Sequence, residues 1–230
     1  MKKYVYFFGN NATEGSADMK FILGGKGANL AEMSKIGIPV PPGFTISTEV
    51  CRDYEANGQK YPEGLEKEVT DYLAKLESVT GKKFGDVKNP LLVSVRSGAA
   101  SSMPGMMDTI LNLGLNEEVV DSLAESTDNP RFAWDSYRRF IQMYGNVVEG
   151  IEHEKFEHVI EEIKSVKGIK EDTEMIATDW QEVVKGYKKL FKIEKGRDFP
   201  DDAKTQLWGA IGAVIGSWNN ARAITYRRLN

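Results

Sequence analysis

The chain has 230 residues, 41% of them apolar and 28% charged, with a formal net charge of −4. That length suits one or two domains with a core of ordinary size, and a mildly acidic balance with dispersed basic residues speaks against nucleic acid as a partner. The single cysteine, Cys51, excludes an internal disulfide framework and fits a reducing compartment, with cytoplasm as the default expectation.

The first apolar run, Met1 to Phe8, meets Gly9-Asn10-Asn11 too soon to be a signal-peptide core or a membrane span, and reads as a β-strand. Asn29 to Ile36 predicts a helix with Leu30, Met33 and Ile36 inward, closed by Gly37 in a left-handed conformation. Pro39, Pro41 and Pro42 enforce extended backbone before an alternating strand, Phe44-Thr45-Ile46. Ser47 or Thr48 is placed to cap a helix ending near Gly58, in which Cys51 is expected to be buried as a small hydrophobe. Leu65, Val69, Tyr72, Leu73, Leu76 and Val79 make a helical stripe, and Leu91 to Val95 reads as a buried strand ending at Arg96.

From Glu117 to Arg197 strand signals almost vanish. Asn129 can cap a helix that begins at Pro130 and runs to about Val148, with Phe132, Ala133, Phe140, Ile141 and Tyr144 near one face. Phe156, Val159, Ile160 and Ile163 define the next helix. Asp179 is expected to cap another, carrying Val183, Val184, Tyr187, Leu190 and Phe191. After Phe199-Pro200, a last helix holds Leu207, Ile211, Val214, Ile215 and Trp218. Composition therefore marks an α+β chain in three stretches: an α/β part over 1–116, a helical part over 117–197 and a C-terminal helix over 198–230 that returns to the first part.

The chemistry concentrates where the strand ends. Arg96 is followed by Ser97-Gly98-Ala99-Ala100-Ser101-Ser102-Met103-Pro104-Gly105, a run of small residues whose main-chain N–H groups can lie open to an anion. The arginine adds a fixed charge with planar donors. The apolar continuation to Leu115 speaks for a packed loop rather than a solvated turn. Lys26 follows Gly24-Gly25 beside a predicted helix start, where free N–H groups and the helix dipole attract anions. This is not a Walker motif, and Gly-Lys-Gly alone is equally compatible with an ordinary turn. Arg138 and Arg139 point in different directions on their helix, and Asp135 stands four residues before Arg139 as an ion-pair partner. His153 and His158, the only histidines, are five apart and so do not share a metal-binding face; no Cys/His cluster or close carboxylate pair predicts a metal site.

Four stretches, in this order, resemble the pyruvate phosphate dikinase family: Leu23-Gly24-Gly25-Lys26-Gly27-Ala28-Asn29-Leu30-Ala31-Glu32-Met33 with Gly37-Ile38-Pro39-Val40-Pro41-Pro42-Gly43-Phe44; Val93 to Asn116, including Ser102-Met103-Pro104-Gly105-Met106-Met107-Asp108-Thr109; Asn129 to Tyr144; and Ser217 to Asn230. The resemblance implies the first lobe of an ATP-grasp nucleotide-binding region with a helical insertion. It implies an enzyme interconverting ATP, pyruvate and phosphate with AMP, phosphoenolpyruvate and diphosphate through a phosphohistidine. On the matching positions, Lys26 and Arg96 contact the ATP phosphates, and Arg96 also stabilises charge on the transferring group. Gly98, Ser101, Met103 and Gly105 belong to the loop over the phosphates, donating backbone N–H groups, while Met106 and Met107 are expected to pack. Arg139 is the nucleotide-side arginine, and Arg222 and Arg227 serve either the nucleotide fold or a missing lobe.

The family enzyme is several times longer than this chain. The second ATP-grasp lobe, with the carboxylates that hold magnesium, the phosphohistidine domain and the pyruvate domain are thus expected outside it, and the intact enzyme is expected to be a cytoplasmic homodimer without nucleic-acid or membrane partners. On this reading the chain is a piece of that enzyme without turnover of its own. Two alternatives stay open: the ATP-binding part of a related dikinase such as phosphoenolpyruvate synthase, and a free-standing, non-catalytic binding or regulatory module.

Overall fold

A computed structural model describes residues 2–10, 12–99, 109–219 and 224–225. The elements in order are β1 (Val5–Gly9), β2 (Ala12–Thr13), α1 (Lys20–Lys35), β3 (Gly43–Ile46), α2 (Glu49–Ala56), α3 (Leu65–Thr80), β4 (Val93–Arg96), β5 (Thr109–Leu113), α4 (Glu117–Thr127), α5 (Pro130–Val147), α6 (His153–Lys167), α7 (Ala177–Lys195) and α8 (Ala203–Ser217). Helix and sheet are segregated rather than alternating around one large parallel sheet, so the chain is α+β. Two compact units divide it. The first comprises 1–82, 96–108 and 214–230; the second comprises 83–95 and 109–213.

In the first unit, β1 is the centre of a three-stranded sheet in the order β2-β1-β3. Both pairings are antiparallel, with Val5 opposite Ile46 and Phe8 opposite Thr13. Val5 and Phe7 point into the core, where Leu65, Val69, Leu73 and Leu76 of α3 meet them, as the helical stripe predicts. Two carboxylates close the sheet's polar edges. Glu68 accepts from the backbone N–H groups of Tyr4 and Val5, each at 2.9 Å. Glu14 accepts from the Phe7 N–H at 2.9 Å, the Tyr72 hydroxyl at 2.6 Å, and the Lys3 and Lys75 ammoniums.

Helix α1 packs differently from the expected Leu30, Met33 and Ile36 face. Its buried residues are Leu23, Gly24, Gly27, Ala28, Ala31 and Ser34, and Ile36 is 64% exposed. Small residues let the helix backbone approach the sheet; a Cβ on Gly27 would lie 2.8 Å from the Thr45 side chain. Gly37 does adopt the left-handed conformation, at φ 81°. At the start of α2, Thr48 occupies the N-cap position but makes no side-chain cap; its hydroxyl donates to the Phe21 carbonyl instead. The Ser47 hydroxyl is buried without a partner among the described residues, and Cys51 is half-buried rather than buried.

The second unit pairs β4 with β5 and sets four helices and most of α8 around them. Strand β4 alternates between half-buried and exposed positions, so it is not the fully buried strand its composition predicts. Asn129 caps α5 as expected, its side chain accepting from the Phe132 N–H at 3.0 Å with Pro130 in the first turn. Ala133, Phe140, Ile141 and Tyr144 are buried, whereas Phe132 is 49% exposed. Phe156 and Ile160 of α6 and Val183, Val184, Tyr187 and Phe191 of α7 complete the helical core. Asp179 is the third residue of α7 rather than its cap; it reaches back to accept from the Ile176 N–H at 2.9 Å and from Lys167 at 2.6 Å. Gln206, fully buried on α8, ties three loop groups together: the Gly114 N–H, the Leu115 carbonyl and the Pro200 carbonyl, at 2.8, 2.9 and 2.8 Å.

Candidate nucleotide site

Helix α1 is broken at Gly24, whose φ of 69° and ψ of 167° are helical for no residue and accessible to glycine at little cost. The break makes Gly25-Lys26-Gly27 the first turn of a new helical segment, with the N–H groups that a helix start leaves without intrahelical partners. One of them is taken: the Gly25 N–H donates to the Ala99 carbonyl at 2.8 Å. The contact is tight because both chains are bare. A Cβ on Gly24 would stand 2.8 Å from the Gly98 carbonyl oxygen and 2.9 Å from its carbon. A Cβ on Gly98 would meet the Lys26 Cβ at 3.7 Å, an ordinary contact.

These distances bring the Gly24–Gly27 turn against the residues that follow Arg96, within the first unit. Ser97 is buried at 2% exposure and anchors the start of the loop, while Lys26 and Arg96 are exposed. Neither cation makes an ion pair with another described residue. The helix start with exposed Lys26, set against the bare Gly98-Ala99 backbone that follows exposed Arg96, offers donors and positive charge suited to an anion with several oxygens.

Of the other expected contacts, Ser101, Met103 and Gly105 lie outside the described residues, as do Met106, Met107, Arg222 and Arg227. Arg139 belongs to the second unit. It is exposed on α5, and its Nε donates to Asp135 at 3.1 Å, the pairing its spacing predicts. The same carboxylate also holds Arg138, which is buried. His153 and His158 are exposed on α6, each facing a glutamate one turn on, at 3.4 and 3.1 Å. Among the described residues no group of three or more acidic, His or Cys side chains could hold a metal ion. Sequence reasoning missed the break at Gly24 and the sharing of Asp135. The paired glycines 24 and 25 hinted at the first; nothing in the spacing distinguishes the second from a single ion pair.

Residues 20–61 and 56–230 match the family described as pyruvate phosphate dikinase, AMP/ATP-binding domain. The chain is 55% identical over 230 residues to the pyruvate, phosphate dikinase of Rhizobium meliloti, covering 100% of this chain and 26% of the relative. It is 50% identical over 231 residues to that of Clostridium symbiosum, with 100% and 26% covered. Against the chloroplastic pyruvate, phosphate dikinase of Mesembryanthemum crystallinum it is 54% identical over 228 residues, with 99% and 24% covered. The chain thus spans about a quarter of the length of these relatives. Matched over nearly all of its residues, it belongs to the AMP/ATP-binding domain family of pyruvate phosphate dikinase.

Proposed function

We propose that the chain is the first lobe of the ATP-grasp region of a pyruvate, phosphate dikinase, and that it grips the polyphosphate of ATP. The observation that carries this reading is the meeting of the Gly24–Gly27 helix start with the loop after Arg96, through the Gly25-to-Ala99 hydrogen bond of 2.8 Å. Lys26 and the α1 amides bind phosphate oxygens, and Arg96 neutralises charge that develops on the transferring phosphoryl group. Gly98, Ser101, Met103 and Gly105 supply backbone donors over the phosphates, and Arg139 contributes a further cation.

In the whole enzyme a histidine on another domain attacks the β-phosphorus of ATP and takes the pyrophosphoryl group, releasing AMP; the terminal phosphoryl group passes to inorganic phosphate to give diphosphate, and the one left on the histidine passes to pyruvate. Magnesium would neutralise the phosphates when bound, and the carboxylates that would hold it are proposed to lie in the rest of the enzyme. The helical stretch 117–197 is read as an insertion within this lobe, and 198–230 as the return to it. Cytoplasm is the compartment proposed for this chain, whereas the Mesembryanthemum crystallinum relative is a chloroplastic enzyme.

Phosphoryl transfer depends on fixed charge more than on covalent chemistry, so Arg96 provides the test. In the full-length enzyme carrying this chain, Arg96→Ala is expected to slow ATP/AMP exchange by the equivalent of about 3–4 kcal/mol. An exchange rate near that of the unaltered enzyme refutes the assignment.

A further inference from the structure

We propose that Thr48 is a positioning residue that keeps α1 broken at Gly24, and so holds Lys26 and the amides beside it ready for phosphate. This rests on the reading of the Gly24–Gly27 turn as part of the ATP phosphate site. In a continuous helix each N–H bonds the carbonyl four residues back, so Gly25 would pair with Phe21 and Lys26 with Ile22. Both carbonyls go elsewhere. The Thr48 hydroxyl donates to the Phe21 carbonyl, and the Thr48 N–H donates to the Ile22 carbonyl at 2.8 Å. On the amide side, the Gly25 N–H goes to the Ala99 carbonyl, also at 2.8 Å. One residue thus satisfies the two acceptors that the break exposes.

Thr48 is held where it can do this. The Ser47 N–H donates to the Tyr4 carbonyl at 2.8 Å, extending the β1–β3 pairing by one residue. The Thr48 carbonyl accepts from the Cys51 N–H at 3.2 Å in the first turn of α2. The segment is therefore tied to the sheet on one side and to a helix on the other. Its hydroxyl forgoes a common use, because an N-cap threonine ordinarily bonds an amide of its own helix and this one caps nothing in α2. The same stretch also meets the second half of α1: a Cβ on Gly27 would lie 2.8 Å from the Thr45 side chain. Residues 45–48 touch α1 on both sides of the break.

Without the hydroxyl, the Phe21 carbonyl loses its partner, and the amide at helical spacing from it is that of Gly25. Pairing the two straightens α1 across Gly24, a conformation open to glycine, and draws the Gly25 N–H away from Ala99. The helix start beside the loop after Arg96 then disappears, and its amides return to the helical ladder. Thr48 therefore biases a two-state balance in α1 and acts on ATP only through that geometry.

The test uses the full-length enzyme carrying this chain. Thr48→Val keeps the size and the N–H but removes the hydroxyl. It is expected to raise KM for ATP about fivefold, with KM for phosphoenolpyruvate unchanged. Thr48→Ser, which restores the donor, is expected to recover most of the loss. In hydrogen-exchange mass spectrometry, the Phe21–Ala28 peptide of Thr48→Val is expected to gain protection as the helix closes, whereas general loosening would cost protection. Thr48→Ala removes the same hydroxyl without a branch to fit, and is expected to behave alike if the valine is not accommodated. Lys26→Ala separates the two ideas: if it leaves KM for ATP unchanged, the phosphate-site reading fails. If it raises KM and the hydroxyl-free Thr48 variants do not, the positioning role fails while that reading stands. Lost or unaltered protection, equal rises in both KM values, or a Thr48→Ser enzyme no better than Thr48→Val overturn the role as well. So does failure of both hydroxyl-free variants to fold, since Thr48 would then hold the unit rather than the break.

Discussion

Gly24 carries the most consequence for the site at the scale of single residues. Its backbone sits where a side chain is strained, and its missing Cβ is what lets the Gly98 carbonyl approach. Gly24→Ala is expected to lower stability by about 2–3 kcal/mol in urea denaturation, from backbone strain together with displacement of the loop. Nucleotide affinity should fall with it. Glu14 offers a second test. Partial burial pushes its carboxyl upward, but bonds from the Tyr72 hydroxyl, the Phe7 N–H, Lys3 and Lys75 outweigh this and hold it at about 2, below the ordinary 4.5. A depressed carboxylate means that the unfolded chain binds the extra proton, so its stabilisation is complete above about pH 4.5. It is lost as the pH falls toward about 2. Glu14→Gln should therefore flatten the fall in Tm across that acid window and lower Tm at neutral pH; equal acid slopes for both proteins would count against the network. The charge of Lys26 and its glycine neighbours were legible as a candidate anion site. The break that turns Gly25 into a new helix start was not, because periodicity cannot show a φ of 69°.

At the scale of elements, the long amphipathic helices were the easiest to read. In α3, α5 and α7 large apolar side chains recur at helical spacing, and burial follows them. The Asn129-Pro130 start of α5 was equally legible, since cap and proline act locally. Asn129→Ala is expected to cost about 1 kcal/mol in thermal or urea unfolding through loss of the bond to Phe132 N–H. Helix α1 misled for a physical reason. Its inner face is Gly27, Ala28, Ala31 and Ser34, chosen for closeness to the sheet rather than for apolar area. Leu30 and Met33 are only half-buried. Phe132 misled in the same way on α5, where a large apolar residue lies at the exposed N-terminal turn. Capping by Asp179 was half legible: the residue does satisfy the N-terminal amide, but from inside the helix, three residues beyond the cap.

At the scale of the whole molecule, the two units are assembled from non-contiguous stretches: 83–95 and 109–213 form the second, and the segments around and between them form the first. Residues 96–99 belong with α1, although 93–95 of β4 and all of β5 belong with the helices of the second unit. The matched relatives are about four times longer than this chain. On the proposed reading of the chain as one lobe of a two-lobe site, the 230-residue chain alone is expected to bind ATP with magnesium weakly in calorimetry, because it would offer only part of the phosphate's partners. Tight, magnesium-dependent binding would contradict the division of labour proposed between this chain and the rest of the enzyme.

By itself the sequence determined the helical and extended segments whose burial follows from 3.6- or 2-residue periodicity, the Asn129 cap, the exclusion of a disulfide framework and the family to which the chain belongs. These are local or cumulative properties, readable from neighbouring residues and from motif strings. Only the tertiary structure decided that the Gly24 turn abuts the loop after Arg96, that small residues form the inner face of α1, and that Asp135 is shared by two arginines. Each of these depends on backbones or side chains meeting at distances that no spacing rule encodes: 2.8 Å from Gly25 to Ala99, seventy-four residues on, is set by packing, which the linear pattern does not contain.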